Sequence, residues 1–297
     1  MLNKNRCIII LSEKSSGSSA LQNILTKHHK IKNVVKTRHF ENETLYWTKA
    51  ASILNMPQLN VEGSEVPFKP ATAKKELITF LKENLGDFQQ PNDDEALIMN
   101  GWRKLCEIYS PVFLEKSPHH LYQWSAIKLI LKCINALDNI EFLVIGLVRN
   151  PIDTIYSQFR RWKADPGTLQ NRWFVSYQNL LKLKDILNEK LIIVRYEDLV
   201  SSTICLAPVY HFCEIKNVMY DADYFHNKSI QKWRSDPYFN LKLSNDIIKL
   251  AEKYGYNQSE LEIRRKLLIS IILKSKLRLV RILKILKKYM NFNNFFL

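Results

Sequence analysis

The residues best suited to chemistry stand near the N-terminus, in the run Ser12-Glu13-Lys14-Ser15-Ser16-Gly17-Ser18-Ser19-Ala20-Leu21. Before it, Cys7–Leu11 is a continuous apolar stretch, the pattern of a strand buried on both faces. After it, Ala20, Leu21, Ile24 and Leu25 recur at helical spacing. A turn of this kind gathers free backbone N–H groups at the positive end of a helix dipole, and so suits an anion, most readily a phosphate. Gly17 lets backbone approach closely, Ser15, Ser16, Ser18 and Ser19 add donors, and Lys14 adds charge. This is not a Walker A loop, because Ser18 and not lysine follows Gly17.

Three more clusters follow apolar runs. Ile31–Phe40 leads through Lys36-Thr37-Arg38-His39 to Glu41 and Glu43, where His or Glu can take a proton from a hydroxyl. Pro111–Leu114 leads to Glu115-Lys116-Ser117-Pro118-His119-His120. Glu141–Val148, the strongest strand pattern, leads to Arg149-Asn150-Pro151, with Ser157 two turns into the next helix. Arg149 and Ser157 can grip one phosphate, by a guanidinium fork and a hydroxyl. The adjacent histidines point about 100° apart on a helix, and with no third ligand at a suggestive spacing no metal is expected. Singly, each cluster also reads as an ordinary capped turn or charged loop. Together they argue for a site, because parallel sheets bind ligands at the carboxyl ends of their strands.

The elements that must position these clusters alternate strand and helix. Helices are expected over 43–54, 73–85, 93–109, 121–136 and 169–187, a last strand over 191–194, and a helix capped by Ser244 and stopped near Gly255. The fold class expected is α/β, a parallel sheet flanked by helices on both faces. Residues 56–105 interrupt the alternation and read as an insertion on the acceptor side of the crevice, or as plain scaffold. One domain is expected over 1–260, followed by a tail.

The chain has 297 residues, a 46% apolar fraction and a net charge of +15. That charge is uneven: ten of the 44 basic residues lie beyond Ile263, and none of the 29 acidic ones do. The tail, 261–297, reads as a basic amphipathic helix with Leu268, Ile272, Leu279, Leu283, Leu286 and Met290 on one face. It packs on the body or rests on an anionic membrane. Its basic residues are not interleaved with aromatics, so nucleic acid is not expected as a partner. Five scattered cysteines without a C-x-x-C pair fit a reducing compartment. The first strand begins by Cys7, so no signal peptide is expected, and the location expected is cytoplasmic, with peripheral membrane contact through the tail.

Read together, these stretches resemble the sulfotransferases that use 3′-phosphoadenosine 5′-phosphosulfate (PAPS). Ser15–Ser19 resembles that family's 5′-phosphosulfate loop. Arg149-Asn150-Pro151 with Ser157 is similar to its 3′-phosphate motif, at matching spacing. Glu115-Lys116-Ser117-Pro118 resembles the carbohydrate and heparan-type branch, Arg195-Tyr196-Glu197-Asp198-Leu199 a motif common in bacterial members, and Lys232-Trp233-Arg234 a stretch that closes over the nucleotide. Two positions differ. Ser15 stands where a basic residue usually precedes S-G, and Thr37 stands where the heparan-type branch has a glutamate base.

The resemblance implies a nucleotide-kinase-like, P-loop-like fold and transfer of a sulfuryl group from PAPS, leaving adenosine 3′,5′-bisphosphate. The acceptor implied is a glycan or other hydroxyl-bearing molecule, and no metal is needed. Lys14 or Lys116 would meet the leaving oxygen. His39, or else Glu41 or Glu43, would be the base, with His39 placed first. The alternatives are a nucleotide-dependent kinase on a similar sheet and a non-enzymatic basic binder of membrane or nucleic acid.

Overall fold

The structure, a computed structural model, describes residues 5–216, 229–237 and 239–263. Its centre is a parallel sheet of five strands: β1 (Asn5–Ser12), β2 (Ile31–Lys32), β3 (Val112–Lys116), β4 (Ile140–Val148) and β5 (Leu191–Arg195), in the order β2-β3-β1-β4-β5. Cys7 to Leu11 are wholly buried, as an uninterrupted apolar run demands of a central parallel strand. Register places Ile10 opposite Lys116 and Ser12 opposite Leu147. The ends of β1, β3 and β4 therefore reach the same edge, and with them the serine loop, Lys116 and Arg149.

Alternate residues of β1 feed two cores. Cys7, Ile9 and Leu11 face the layer of α2 (Tyr46–Ile53), α3 (Pro70–Leu85), α4 (Asp94–Ile108), α5 (His119–Tyr122), α6 (Trp124–Ala136), α7 (Pro151–Trp162) and α8 (Pro166–Leu187), around buried Trp47, Trp102 and Trp173. Ile8 and Ile10 face α1 (Ser18–Leu25), α9 (Tyr196–Ser201) and α10 (Ala207–Phe212). Helix starts follow the cap signals. Asp93, Asn150, Asp165 and Ser244 each accept a backbone N–H in the first turn, Ser244 opening α11 (Asn245–Lys253).

Several boundaries differ from the sequence expectation. β2 is two residues long, because only Ile31 and Lys32 pair with β3, and Val35 is already 67% exposed. The helix expected from residue 43 begins at Tyr46, since Leu45 takes a left-handed φ of 51°. The helix expected over 121–136 is two, α5 and α6. At the break, Gln123 leaves helical geometry and its amide bonds both the N–H and the carbonyl of Leu59, at 2.8 and 2.7 Å. In the segment read as an insertion, α4 packs against β1 and β3, with Trp102 and Leu105 fully buried. Among the described residues no helix is long and apolar enough to cross a membrane. The basic tail from residue 264 onward lies outside the described residues.

Candidate active site

Beyond Ser12 the chain curls under α1. Ser15 and Gly17 take φ values of 63° and 93°, giving a concave backbone of the kind that cups an anion. Position 17 admits only glycine, because a β-carbon there would stand 2.3 Å from the Tyr196 ring. Beneath the loop Glu13 is wholly buried. It accepts hydrogen bonds from Arg172 Nη2 (2.6 Å), Ser176 Oγ (2.8 Å) and Gln158 Nε2 (3.3 Å). Gln158 Nε2 also donates to the Lys14 carbonyl at 2.9 Å. Ser16 Oγ turns to the core, 3.0 Å from the Tyr177 hydroxyl. α7 and α8 thus fix the loop from below, while Lys14, Ser15, Gly17, Ser18 and Ser19 line a cavity of about 510 Å³ above it. Burial, helped by Arg172, lowers the pKa of Lys14 from its ordinary value.

Arg149, at the end of β4, is buried beside this loop. Nη1 donates to the Ser15 carbonyl at 2.8 Å and Nη2 to the Ser229 carbonyl at 2.7 Å, and the guanidinium lies 4.7 Å from the centre of the Tyr196 ring. Its Nε is buried with no hydrogen-bond partner. A second cavity, about 540 Å³, adjoins the first at Arg149, Ser157 and Arg161 and reaches Arg160, Lys232 and Ser235. Burial pushes Asp153, on its wall, up to about 6 against the pull of Arg149. The Arg195–Leu199 motif is a brace. Tyr196 packs on Gly17 and Arg149, while Glu197 accepts the Asn150 N–H at 3.0 Å and the Tyr256 hydroxyl at 2.7 Å.

The other half of the first cavity comes from residues 39–65 and the end of β3. Lys116 is 1% exposed, and its Nζ donates to Ser19 Oγ (3.2 Å) and the Glu41 carbonyl (3.0 Å) and stands 3.5 Å from Glu43 Oε1. Ser19 Oγ donates in turn to the Glu41 carboxylate. Glu43 Oε2 is 3.7 Å from His119 Nδ1, and His119 Nε2 is 2.9 Å from Ser64 Oγ. Burial raises the pKa of Glu43, against Lys116 and Lys14, and drives that of His119 well down. His39 Nε2 is 2.9 Å from Lys49 Nζ, which pairs with Glu76 at 3.1 Å. Burial, then Lys49, pushes His39 down to about 4.

A buried polar clamp holds the backbone beside Glu43. Ser117 Oγ accepts the N–H groups of Thr44 (3.2 Å) and Leu45 (3.0 Å) and donates to Glu115 Oε1 at 2.5 Å. Thr44 Oγ1 donates to the same carboxylate oxygen at 2.7 Å. His120 Nε2 accepts the Trp47 N–H at 3.2 Å, which leaves the proton on Nδ1, 3.6 Å from Glu115 Oε2. Burial alone would raise Glu115, but His120, Ser117 and Thr44 outweigh it and hold it below its ordinary value.

The fold therefore gathers Lys14, Ser15, Gly17, Ser18, Ser19, His39, Glu41, Glu43, Arg149 and Ser157 around one cavity, with Lys116 bonded to its lining. Lys232 stands in the second cavity. Ser16, Trp233 and Arg234 line neither: Trp233 is buried, and Arg234 is exposed, 5.4 Å from the Trp233 ring centre. Sequence reasoning missed Glu13, Ser64, Glu65, Tyr196 and Trp162. It weighed His119 and His120 only as metal ligands, whereas one lines the cavity and the other belongs to the clamp.

A concave loop suited to an anion at the carboxyl edge of a parallel sheet, with carboxylates lining the same cavity, is the site this α/β fold builds. The chain belongs to the sulfotransferase family, whose model matches residues 7–218. The sulfotransferase domain of the Synechococcus PCC 7002 olefin synthase covers 86% of this chain and 96% of its own, with a TM-score of 0.53 and 21% identity, so the fold is shared. The sulfotransferase from Alicyclobacillus acidocaldarius covers 85% of this chain and 96% of its own, at 12% identity and a TM-score of 0.45. No curated protein matches the chain.

Proposed function

We propose that the protein moves a sulfuryl group from PAPS to a hydroxyl of a carbohydrate acceptor. The observation that carries this is Lys116 Nζ, which touches both Ser19 of the anion loop and Glu43 of the opposite wall. A nucleotide with a phosphate at each end suits the two joined cavities, and Arg149, which lines both, is placed for its 3′-phosphate. The serine loop would hold the 5′-phosphosulfate end. As the acceptor oxygen bonds to sulfur, the bond from sulfur to the phosphate oxygen breaks. Glu43 takes the acceptor's proton, and Lys116 neutralises the charge left on the bisphosphate. Glu43 displaces His39 as first candidate for the base, because its raised pKa makes it the stronger proton acceptor and Lys49 already occupies His39 Nε2. Half-exposed Trp162, on the cavity wall, offers a flat apolar face for the C–H side of a sugar ring.

Transfer of labelled sulfur from PAPS to a panel of sugars, lipids and phenols tests this reading. Adenosine 3′,5′-bisphosphate is expected to raise the melting temperature where ATP does not. Arg149→Ala is expected to weaken that binding roughly 100-fold, by removing charge-assisted bonds. A rise with ATP alone would replace the transferase by a kinase.

A further inference from the structure

His119 is a buried titratable group to which the transfer step gives no task. It opens α5 directly after Pro118, with Glu43 on one side of its ring and Ser64 on the other. Nε2 is 2.9 Å from Ser64 Oγ. That hydroxyl accepts the Val66 N–H at 3.4 Å, so its own proton is free to go to the ring. Nδ1 is wholly buried, has no hydrogen-bond partner and stands 3.7 Å from Glu43 Oε2. With the proton on Nε2, a ring lone pair would face a carboxylate oxygen away from water, two acceptors with no donor between them. Both ends of the ring therefore call for the same tautomer, neutral with its proton on Nδ1. Burial, reinforced by the charges of Lys14 and Arg172, keeps the ring neutral by holding its pKa well below the ordinary value.

The next residue repeats the arrangement. His120 Nε2 accepts the Trp47 N–H at 3.2 Å, and Nδ1 stands 3.6 Å from Glu115 Oε2. There a backbone donor fixes the tautomer, and against the effect of burial His120 helps hold Glu115 below its ordinary pKa. Neighbours on a helix point about 100° apart, so one histidine serves the clamp carboxylate and the other faces the carboxylate that lines the cavity.

From this geometry we infer that His119 is a positioning residue for Glu43 and is itself held by Ser64. The inference rests on the reading of Glu43 as the base. Lys116 Nζ stands 3.5 Å from Oε1 and His119 Nδ1 3.7 Å from Oε2, so the carboxylate is bracketed at both oxygens and its rotation is fixed. Both contacts are longer than a tight hydrogen bond, as catalytic contacts often are before substrate binds. An N–H aimed at a carboxylate favours its charged form, the form that takes a proton from the acceptor. Other groups act on the pair as well. Burial raises the Glu43 pKa and Glu41 adds to that, while Lys116 and Lys14 oppose it; around His119 stand Lys14, Arg172, His120 and His39.

The test follows the Glu43 carboxyl itself by NMR, in the full chain labelled with carbon-13 at the glutamate carboxyls, the signal being assigned by its loss in Glu43→Gln. His119→Leu is expected to move the titration midpoint up by about one pH unit. On the best acceptor of the sulfur-transfer panel it should lower kcat about tenfold, with bisphosphate affinity unchanged. His119→Asn returns an N–H near the place of Nδ1 and is expected to recover most of both effects. Ser64 is only partly buried, so Ser64→Ala keeps the test open should the leucine variant not fold, and it should shift the midpoint the same way by less. An unmoved midpoint in His119→Leu and Ser64→Ala, or no recovery in His119→Asn, overturns the inference. So does a lower melting temperature with kcat per folded molecule unchanged, which would make His119 merely structural. An acid limb of the rate that persists in Glu43→Gln overturns the base reading and this role with it; a limb lost there but unmoved in His119→Leu overturns this role alone. Absence of transfer to any acceptor overturns the proposed function, and the titration then judges the His119 contact by itself.

Discussion

The two halves of the cavity are built by opposite means. The loop half hangs from strand ends and is bonded from below: Glu13 ties the loop to α7 and α8, Arg149 ties it to β4, and Glu197 ties the Asn150 corner to Tyr256. The facing half is mostly irregular backbone, residues 39–45 and 57–65, laid against the end of β3. Its backbone runs through Glu41, Asn42 and Leu45 at φ values of 55°, 57° and 51°, which side-chain-bearing residues adopt only at a cost of about 1 kcal/mol or more each. What holds it is the clamp at Ser117 and Glu115, with Lys116 bonded to the Glu41 carbonyl and Lys49 to that of Thr44. One half is shaped for a ligand of fixed form. The other keeps a costly backbone in place because the positions of Glu43 and its neighbours matter.

Lys116 touches both halves, so removing it should have the largest effect. Lys116→Ala is expected to lower kcat about 10³-fold while bisphosphate affinity changes only a few-fold, because the charge it meets exists only as the leaving group departs. Single-turnover kinetics with labelled PAPS measures this. An equal loss in binding and turnover would make Lys116 part of the loop half alone.

Glu43→Gln should come next, with kcat lower by about 10²-fold. The pH profile carries more information. Protonated Glu43 cannot accept a proton, so the wild-type rate should fall as pH drops through its pKa, which burial raises from the ordinary glutamate value. The variant should lack that acid limb. A limb that persists unchanged in Glu43→Gln would remove the base from this position.

Ser117→Ala tests the clamp. It leaves the Thr44 and Leu45 N–H groups without their acceptor in a buried place. About a tenfold fall in kcat is expected, with bisphosphate affinity intact and recovery in Ser117→Thr, which keeps the hydroxyl. A purely structural role would instead lower the melting temperature and leave kcat per folded molecule unchanged.

The same contrast explains what was legible in the sequence. Strand ends announce themselves, since a fully apolar run such as Cys7–Leu11 or Leu143–Val148 can only be a buried strand, and the polar residues after it must lie at the sheet edge. The loop, Arg149 and Lys116 were therefore readable by position. The facing wall was not, because left-handed Glu41 and Leu45 follow no period, and Ser64 and Glu65 come to the cavity from a stretch with neither strand nor helix. Glu13 was overlooked for another reason. Beside Lys14 it reads as a solvated charge, and only the distant Arg172 and Ser176 make its burial possible.

The smallest effect is expected where sequence alone placed the base first. His39 lines the cavity and stands in the segment that offers proton acceptors. Its chemistry is nevertheless spent. Lys49 Nζ donates to Nε2, and the remaining nitrogen, Nδ1, faces Glu65 at 4.0 Å. Burial and the Lys49 charge push it down to about 4, so near pH 7 the ring is neutral and has little affinity for a proton. His39→Gln keeps an acceptor for Lys49 and should change kcat less than about threefold, with the Glu43 acid limb in place. A loss of 100-fold at unchanged melting temperature would return the base to His39. It would also overturn the comparison, because the chemistry would then stand at the edge of the facing half and not where Lys116 joins the two.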